Sequence, residues 1–369
     1  MKKYLSSLML LVMGALLFTA CGDDDNDGPG PVPQYENVTD GVFVINEGNY
    51  FGQVNGSLDF LNYKSGTVSR NVFSTVNGRS LGGTPNSGVT CGQNLYIAAS
   101  DENRVEIVNT STFKAEAPVT VQAPREVCTD GESVYVSSWT GRVTRIDAST
   151  HEVARTSEVV GSHLEGIVAS GGYVYVCNSA DATKSYTDPD YYLTTVVKLD
   201  AKTLAKVSEI SVTLNPTQIL ASGRDLYVLS SGNYGAVQAC VQKIEPDNSD
   251  KVTEIAKATM MAIGNGKLYL VNAPYGSPAT YKVYDLKEKD TNTFITGTEI
   301  FSPYAINVDA TTGEVFVSSL SKDPDTGYAS YTTDGKLYRY KADGTPVADY
   351  TIGVNPGTLV FSVHQQLGK

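Results

Sequence analysis

One short apolar segment recurs along this chain and constrains the possible fold more than any other feature. Each copy is four residues long, is mostly aliphatic, and carries Phe or Tyr at its second position. The seven aromatic residues are Phe43, Tyr96, Tyr135, Tyr175, Tyr227, Tyr269 and Phe316. They lie 39 to 53 residues apart, a spacing typical of four-stranded propeller blades. The repeat predicts an all-β, seven-bladed β-propeller in which each copy is the second strand of a blade. The alternative, a β-sandwich, gives no reason for one aromatic to return at a near-constant period.

Residues 124–159 show the order of strands within one blade. A Pro-Arg-Glu sequence leads into the first strand, and residues 133–138 form the second. Residues 142–147 alternate apolar and polar side chains, which predicts a half-buried third strand, and residues 151–159 supply the fourth. The third strand ends on a polar residue whose side chain can hydrogen-bond the backbone of the following turn. Corresponding residues in the copies are Asn109, Asp147, Asp200, Glu245 and Asp285.

The two ends of the repeat region complement each other. Residues 42–45 have no obvious strand before them, whereas residues 355–361 resemble the start of a blade with no second strand after it. Pairing the two segments closes the ring and removes an exposed sheet edge. We therefore expect N- and C-terminal strands to share one blade.

The N-terminus is predicted to be a targeting segment. Lys2 and Lys3 precede an apolar run over residues 5–20, which is too short for a comfortable membrane span and is typical of a secretory signal. Small residues directly before Cys21 indicate a lipoprotein signal, with Cys21 lipidated; a plain signal peptide is the alternative. We predict a signal peptide at 1–20, an acidic Gly/Pro tether at 21–40, and a single propeller domain at 41–369.

Charge and cysteine content narrow the function classes. The net charge of −12 argues against a nucleic-acid partner, which requires clustered Lys and Arg. The remaining cysteines show no spacing typical of a zinc site. Export would permit disulfides, but single cysteines packed as small apolar residues are the favoured interpretation. These cysteines are Cys91, Cys128, Cys177 and Cys240.

Two sets of residues are expected to meet on one face of the ring. Residues at the start of the first strands surround the central channel, and long loops after the second strands rise around them. These loops contain many Tyr residues and the only Trp of the chain, and long loops on a rigid scaffold commonly carry function. The predicted ligand-binding residues are Glu47, Tyr50, Phe51, Ser87, Arg125, Glu126, Trp139, Glu165, Asn178, Tyr191, Tyr192, Gln218, Tyr234, Asn272, Tyr275, Tyr304 and Tyr328.

The composition of this predicted face indicates a class of ligand. Amphipathic aromatic rings among amides and carboxylates suit a large, partly apolar ligand with many hydrogen-bonding groups, or a protein partner. The alternative is that the tyrosines only stiffen long loops.

Three features together resemble a known family. They are the lipoprotein-like start, the opening Phe43-Val44-Ile45-Asn46-Glu47-Gly48-Asn49, and the repeat around Val134-Tyr135-Val136-Ser137. Over about residues 41–363 the chain looks like the YncE-like seven-bladed propeller surface lipoproteins of Bacteroidota. The branch it resembles captures cobalamin (vitamin B12) and related corrinoids and passes them to a TonB-dependent outer-membrane transporter, on which the propeller sits as a lid.

The resemblance implies a lipid-anchored outer-membrane protein exposed on the cell surface. Cobalamin would be its transported ligand and not a cofactor, and no protein group need coordinate cobalt. The membrane would be contacted through the lipid anchor only. Carboxylates and amides such as Glu47, Glu126 and Gln218 can pair with the amide arms of a corrinoid, while aromatic rings cover its edge.

Other functions remain open in the sequence. No enzyme is predicted, because the common catalytic motifs are missing from the sequence. His163 with Glu165 is the remaining acid–base pair, and Glu126 with Glu165 are candidates for a calcium-dependent lactonase or lyase. Turns at Asp188 and Asp323 could bind calcium but are more typical of simple turns. A glycan- or protein-binding propeller of another nutrient-uptake system is the main alternative, since aromatic loops also stack on sugars.

Overall fold

The computed structural model describes residues 34–368. The predicted signal peptide, Cys21 and most of the predicted tether lie outside the described residues. Asn37–Gln365 forms one compact unit. Within the described chain, the strands form seven four-stranded antiparallel sheets and one small two-stranded hairpin, which confirms the predicted seven-bladed β-propeller.

The bounds of the secondary-structure elements follow the predicted repeat closely. Residues 34–368 contain one short helix, α1 at Val72–Asn77, and one 3₁₀ turn at Pro246–Asn248. None of the helices in residues 34–368 is long and apolar enough to cross a membrane. In chain order the strands are β1 Tyr35–Asn46, β2 Ser57–Asn62, β3 Thr67–Ser69, β4 Pro85–Cys91, β5 Asn94–Ala99, β6 Arg104–Asn109, β7 Val119–Thr120, β8 Pro124–Thr129, β9 Ser133–Ser138, β10 Val143–Asp147, β11 Val153–Thr156, β12 His163–Ser170, β13 Tyr173–Ala180, β14 Tyr192–Asp200, β15 Lys206–Ser211, β16 Pro216–Ser222, β17 Asp225–Ser230, β18 Cys240–Glu245, β19 Lys251–Ala256, β20 Met260–Gly264, β21 Lys267–Asn272, β22 Thr280–Asp285, β23 Thr291–Thr293, β24 Pro303–Val308, β25 Val315–Ser319, β26 Ser321–Lys322, β27 Ala329–Ser330, β28 Gly335–Tyr340, β29 Pro346–Ile352 and β30 Pro356–Leu367.

Each blade is one four-stranded sheet, and in most blades the four strands follow one another along the chain. Blades 2 to 6 take β4–β7, β8–β11, β12–β15, β16–β19 and β20–β23 in order, and blade 7 takes β24, β25, β28 and β29. Blade 1 has the order β3-β2-β1-β30, so the last strand of the chain supplies its inner strand. The predicted closure by terminal strands is confirmed.

Hydrogen bonds between inner strands complete the ring around the channel. Asn86 Nδ2 donates to the Arg125 carbonyl (3.1 Å), which joins blade 2 to blade 3. Thr358 Oγ1 on β30 donates to the carbonyl of Asn86 (3.0 Å), and Asn307 Nδ2 on blade 7 donates to that of Leu359 (2.7 Å). Blade 1 is therefore tied to both of its neighbours.

The core lies between neighbouring blades. All seven repeated aromatic residues are at most 3% exposed, as expected for the second strand of each sheet. One cluster packs Tyr135 and Val143 of blade 3 against Val174 and Leu199 of blade 4. Since the apolar faces of adjacent sheets cover each other, the aromatic repeat is the packing layer of the propeller.

The predicted turn chemistry is also observed. The Asp147 carboxylate accepts the backbone N–H groups of Ser149 (2.9 Å) and Thr150 (3.0 Å). Asn109, Asp200 and Asp285 make equivalent bonds in their own blades. Blade 5 differs, because a 3₁₀ turn follows Glu245 in place of this arrangement.

Within the described residues, the cysteines are free and buried, in line with the favoured interpretation. Burial raises the pKa of the Cys128, Cys177 and Cys240 thiols. These thiols therefore behave as small apolar groups in the packing layers.

Candidate functional site

The loops after the second strands and the starts of the inner strands lie on one face, called here the loop face. The N–H of Trp139, after β9, donates to the carbonyl of Ala123, before β8 (3.1 Å). The N–H of Ser231, after β17, likewise donates to the carbonyl of Asn215, before β16 (2.7 Å). The short turns between first and second strands lie on the opposite face, called the turn face.

The inner strands begin with an irregularity that shapes the channel mouth. In blades 2 to 5 and in blade 7, the pairing of the inner strand with the second strand shifts register shortly after the strand begins. Such bulges re-aim side chains and are common beside functional sites. The residues left between the paired positions are Asn86, Arg125, Glu126, Glu165, Gly166, Thr217 and Tyr304.

Side chains from these bulges, from the first residue of β12 and from loops of blades 1 and 3 converge at the mouth. We call this group the axial cluster; it consists of Glu47, Asn86, Arg125, Glu126, Trp139, His163, Glu165 and Tyr304.

Trp139 is the exposed centre of the axial cluster. Its indole N–H donates to Glu165 Oε1 (2.8 Å), while Arg125 Nε donates to Glu165 Oε2 (3.1 Å). The guanidinium of Arg125 lies 4.3 Å from the indole centroid, and the His163 ring stacks on the indole at 4.8 Å. Trp139 is nevertheless 42% exposed. The indole is thus held in a set orientation while part of its surface stays open to solvent.

Glu126 lies deeper than Glu165 and accepts a hydrogen bond from Asn86 Nδ2 (2.9 Å). Burial and the nearby charge of Glu165 raise the pKa of Glu126 to about 7, although Ser87 and Arg125 favour its ionised form. Near neutral pH the Glu126 side chain is therefore divided between the carboxylate and the carboxylic acid.

Glu47 completes the cluster on the side of blades 1 and 7. Tyr304 Oη donates to Glu47 Oε2 (2.7 Å), and burial raises the pKa of Glu47 despite this bond and the charge of Arg125. A Cβ at Gly357 would collide with the Glu47 carboxylate, so a larger residue there would displace that carboxylate. Burial also lowers the pKa of His163, which favours the neutral imidazole. The cluster therefore places three carboxyl groups around one guanidinium.

The axial cluster can donate and accept hydrogen bonds and can stack against a ligand. In residues 34–368, no group of three or more His, Cys, Asp or Glu side chains is arranged to hold a metal ion. Asp188 and Asp323 use carboxylate oxygens within their own turns, where Asp188 accepts the N–H of Asp190 and Asp323 that of Thr326 (both 2.8 Å).

Several loops of the loop face carry aromatic rings. Tyr275 is 98% exposed and Phe51 is 95% exposed. Tyr192 contacts both Tyr191 and Tyr234 edge-on, at centroid distances of 5.0 and 6.1 Å. Exposed aromatic side chains on one face are typical of surfaces that bind a ligand or another protein.

A large cleft lies between the loops of blades 5, 6 and 7, called here the lateral cleft. Its volume is about 1330 Å³. Four predicted site residues line it, together with an apolar segment that precedes blade 7. The residues that characterise it are Tyr234, Met260, Asn272, Tyr275, Ile300, Phe301 and Tyr328.

Several predicted residues stay outside these two regions. Asn178 is buried and uses its amide internally, accepting from the Ser162 N–H (2.8 Å) and donating to Thr195 (3.2 Å). Ser87 is buried below the mouth, where it accepts the N–H of Val127 (3.3 Å) and supports the axial cluster only through Glu126. Gln218 bridges two inner strands through the Met261 carbonyl (3.2 Å). Tyr50 and Phe51 contact each other in a separate loop of blade 1.

Sequence reasoning missed part of both regions. His163 and Asn86 belong to the axial cluster but were not among the predicted ligand-binding residues. Ile300 and Phe301 were missed because they precede a first strand and do not follow a second one. The available signal was their apolar character shortly before Pro303, because a solvated connection seldom places two large apolar residues together.

Comparisons with known proteins agree with the fold. The chain belongs to the family described as a domain of unknown function (DUF5074), whose model matches residues 40–362. None of the curated proteins matches the sequence significantly.

Solved structures with the same fold are distant in sequence. Hydrazine synthase of Kuenenia stuttgartiensis is 13% identical with a TM-score of 0.59, and the match covers 77% of this chain and 95% of that one. Apo AztD from Citrobacter koseri is 10% identical with a TM-score of 0.58, covering 90% and 99%. Dihydro-heme d1 dehydrogenase NirN, solved in complex with DHE, is 14% identical with a TM-score of 0.53, covering 90% and 82%.

Proposed function

We propose that this protein is a surface-exposed binding propeller that captures a large amphipathic molecule, a corrinoid such as cobalamin, on its loop face. In this proposal it is anchored by a lipid at Cys21 and hands the ligand to a TonB-dependent outer-membrane transporter. The arrangement of Arg125, His163 and Glu165 around the exposed Trp139 carries the proposal.

The chemistry of the axial cluster suits such a ligand. A corrinoid has a broad ring edged with amide groups, which both donate and accept hydrogen bonds. The carboxyl groups of Glu47, Glu126 and Glu165 can accept from amide N–H groups, while the Arg125 guanidinium can donate to amide oxygens. The orientation of the Trp139 indole is already held by Glu165 in the free protein. Binding therefore immobilises little at this position.

The fold is compatible with a binding role. NirN, which shares the propeller fold, was solved in complex with DHE. The exposed aromatic residues of the loop face offer rings that can cover an apolar edge of a ligand, whereas the turn face has short polar turns. A binding function requires no reacting group, and the axial cluster would serve as a recognition surface.

The direct test is titration of the purified protein with cyanocobalamin. Trp139 is the only Trp in the chain, so its fluorescence reports on the axial cluster alone. We expect one-to-one binding by calorimetry together with quenching of this fluorescence. No heat and no quenching at micromolar protein would overturn the corrinoid proposal. Binding of oligosaccharides in its place would favour the glycan alternative.

Two variants test whether cyanocobalamin binds at the axial cluster. Trp139→Ala should weaken cyanocobalamin binding by about tenfold or more, because a central aromatic contact is lost. Its melting temperature should change little, since the indole is partly exposed. Tyr186→Ala, in an exposed part of the blade 4 loop, serves as the control. Equal effects of the two variants on binding would argue against the axial cluster as the site.

A further inference from the structure

We infer that the lateral cleft is a second, apolar subsite that receives an aromatic appendage of the ligand while the axial cluster receives its hydrogen-bonding core. This inference rests on the proposed function, because it divides one ligand between two regions of the loop face.

The walls of the lateral cleft differ chemically from the axial cluster. Tyr275, Tyr328 and Phe301 contribute rings, and Met260 contributes a thioether. Lys257 and Glu299 are the charged residues of its lining, and Lys257 is already paired with Glu254 (2.8 Å). A surface of rings and sulfur with few charges favours flat, aromatic groups.

The cleft has room for more than a single aromatic ring. Its volume of about 1330 Å³ is larger than the roughly 300–1,000 Å³ of sites for drug-sized molecules. A ring system with its connecting chain would fit this space.

The two regions are adjacent along the chain, so one ligand can span them. Ser302 and Pro303 line the cleft, and the next residue, Tyr304, donates to Glu47 in the axial cluster. On the other side, Met260 lines the cleft, while the carbonyl of Met261 accepts from Gln218 on the neighbouring inner strand. The cleft therefore opens beside the channel mouth.

The rings of the lateral cleft are exposed to water, which favours binding of a group that covers them. Tyr275 is 98% exposed and Tyr328 is 69% exposed. Covering such rings removes apolar surface from water and is favourable in proportion to the area covered. Both side chains lie in loops, so their removal should not disturb the packing layers between blades.

Two corrinoids, one with and one without the aromatic appendage, test the inference. Cyanocobalamin carries an aromatic benzimidazole on its nucleotide arm, and dicyanocobinamide lacks that arm. The double variant Tyr275→Ser/Tyr328→Ser should weaken cyanocobalamin binding by about tenfold or more. It should change dicyanocobinamide binding by less than about twofold. Trp139→Ala should weaken both, and Tyr186→Ser should weaken neither.

The outcomes separate this inference from the proposed function. If the unmodified protein binds both corrinoids but the double variant weakens both equally or neither, the apolar subsite is wrong and corrinoid binding stands. If the unmodified protein binds neither corrinoid, the proposed function fails and the division of its ligand fails with it. Unchanged melting temperatures of the variants establish that lost binding is not lost folding.

Discussion

At the scale of single residues, the axial cluster stands out because its members constrain each other. Glu165 holds both Trp139 and Arg125, and Arg125 in turn lies over the indole. Such mutual contacts reduce the freedom that a ligand would otherwise have to remove. Burial raises the pKa of both Glu126 and Glu47, so these two carboxyl groups are incompletely stabilised as anions.

Glu126 makes stability depend on pH in a predictable direction. Its pKa is raised from 4.5 to about 7 by burial, so between these values the folded chain holds a proton that the unfolded chain has lost. The free energy of unfolding should therefore fall as pH rises through this window. Glu126→Gln removes this loss of stability. The difference in free energy of unfolding between variant and wild type should therefore shift in favour of the variant by roughly 1–3 kcal/mol from about pH 5 to about pH 8.

Urea unfolding at the two pH values measures this difference. Glu132→Gln, an exposed substitution on the turn face, is the matched control and should follow the wild-type profile. A Glu126→Gln variant with the wild-type pH profile would contradict the assignment of the titration to Glu126.

At the scale of elements, the start of the inner strand is the unit that builds the site. In five blades the residue before the first-strand proline has a positive φ, and its carbonyl accepts the N–H that follows the second strand. These residues are Thr84, Ala123, Asn215, Ser302 and Asn355. Because L-residues seldom adopt this conformation, the repeated hydrogen bond is what holds it.

Ala123 allows this backbone conformation to be tested. Its φ is 45°, and glycine adopts such an angle without the Cβ clash. Ala123→Gly should raise the free energy of unfolding by up to about 1 kcal/mol, although glycine also gains freedom in the unfolded chain. Ala182→Gly, in an exposed loop, should lower it by about 0.5 kcal/mol. Thermal unfolding of both variants measures the difference. If Ala123→Gly loses as much stability as Ala182→Gly, the backbone at Ala123 is not strained.

At the scale of the whole molecule, ring closure depends on contacts between the first and last blades. Asp309, in a turn of blade 7, is fully buried and accepts hydrogen bonds from Thr39 (2.9 Å) and Tyr63 (3.2 Å) of blade 1. Tyr63 also stacks on Phe316 of blade 7, at a centroid distance of 6.0 Å. These contacts lie on the turn face and complement the pairing of β1 with β30.

Replacing Asp309 tests how much closure contributes to stability. Asp309→Ala leaves the hydroxyl groups of Thr39 and Tyr63 without their acceptor, and should lower the free energy of unfolding by roughly 2–4 kcal/mol. Asp343 also holds a turn of blade 7 but is exposed and bonds only within that turn. Asp343→Ala should lower the free energy of unfolding by at most about 1 kcal/mol, measured for both variants by urea unfolding. Similar losses for both variants would show that the cross-blade bonds add little.

The strands and blades could be predicted from the sequence because their signals are local. Tyr96 or Tyr135 is recognisable from its own four-residue segment, and Asp147 from the turn that it holds. The axial cluster was predicted in part, since Glu126 and Trp139 were chosen from their positions in the blade. The bulge that brings Arg125 against Glu165 of the next blade leaves no local pattern, and neither does the internal use of the Asn178 amide.

The sequence alone determined the fold class, the number of blades, the pairing of the chain ends and the face that carries the long loops. Each of these follows from periodicity and turn chemistry, which act over a few residues. Only the tertiary structure decided which side chains meet at the channel mouth and where the lateral cleft opens. Those contacts join blades separated by tens of residues, and their geometry exists only once the ring has closed.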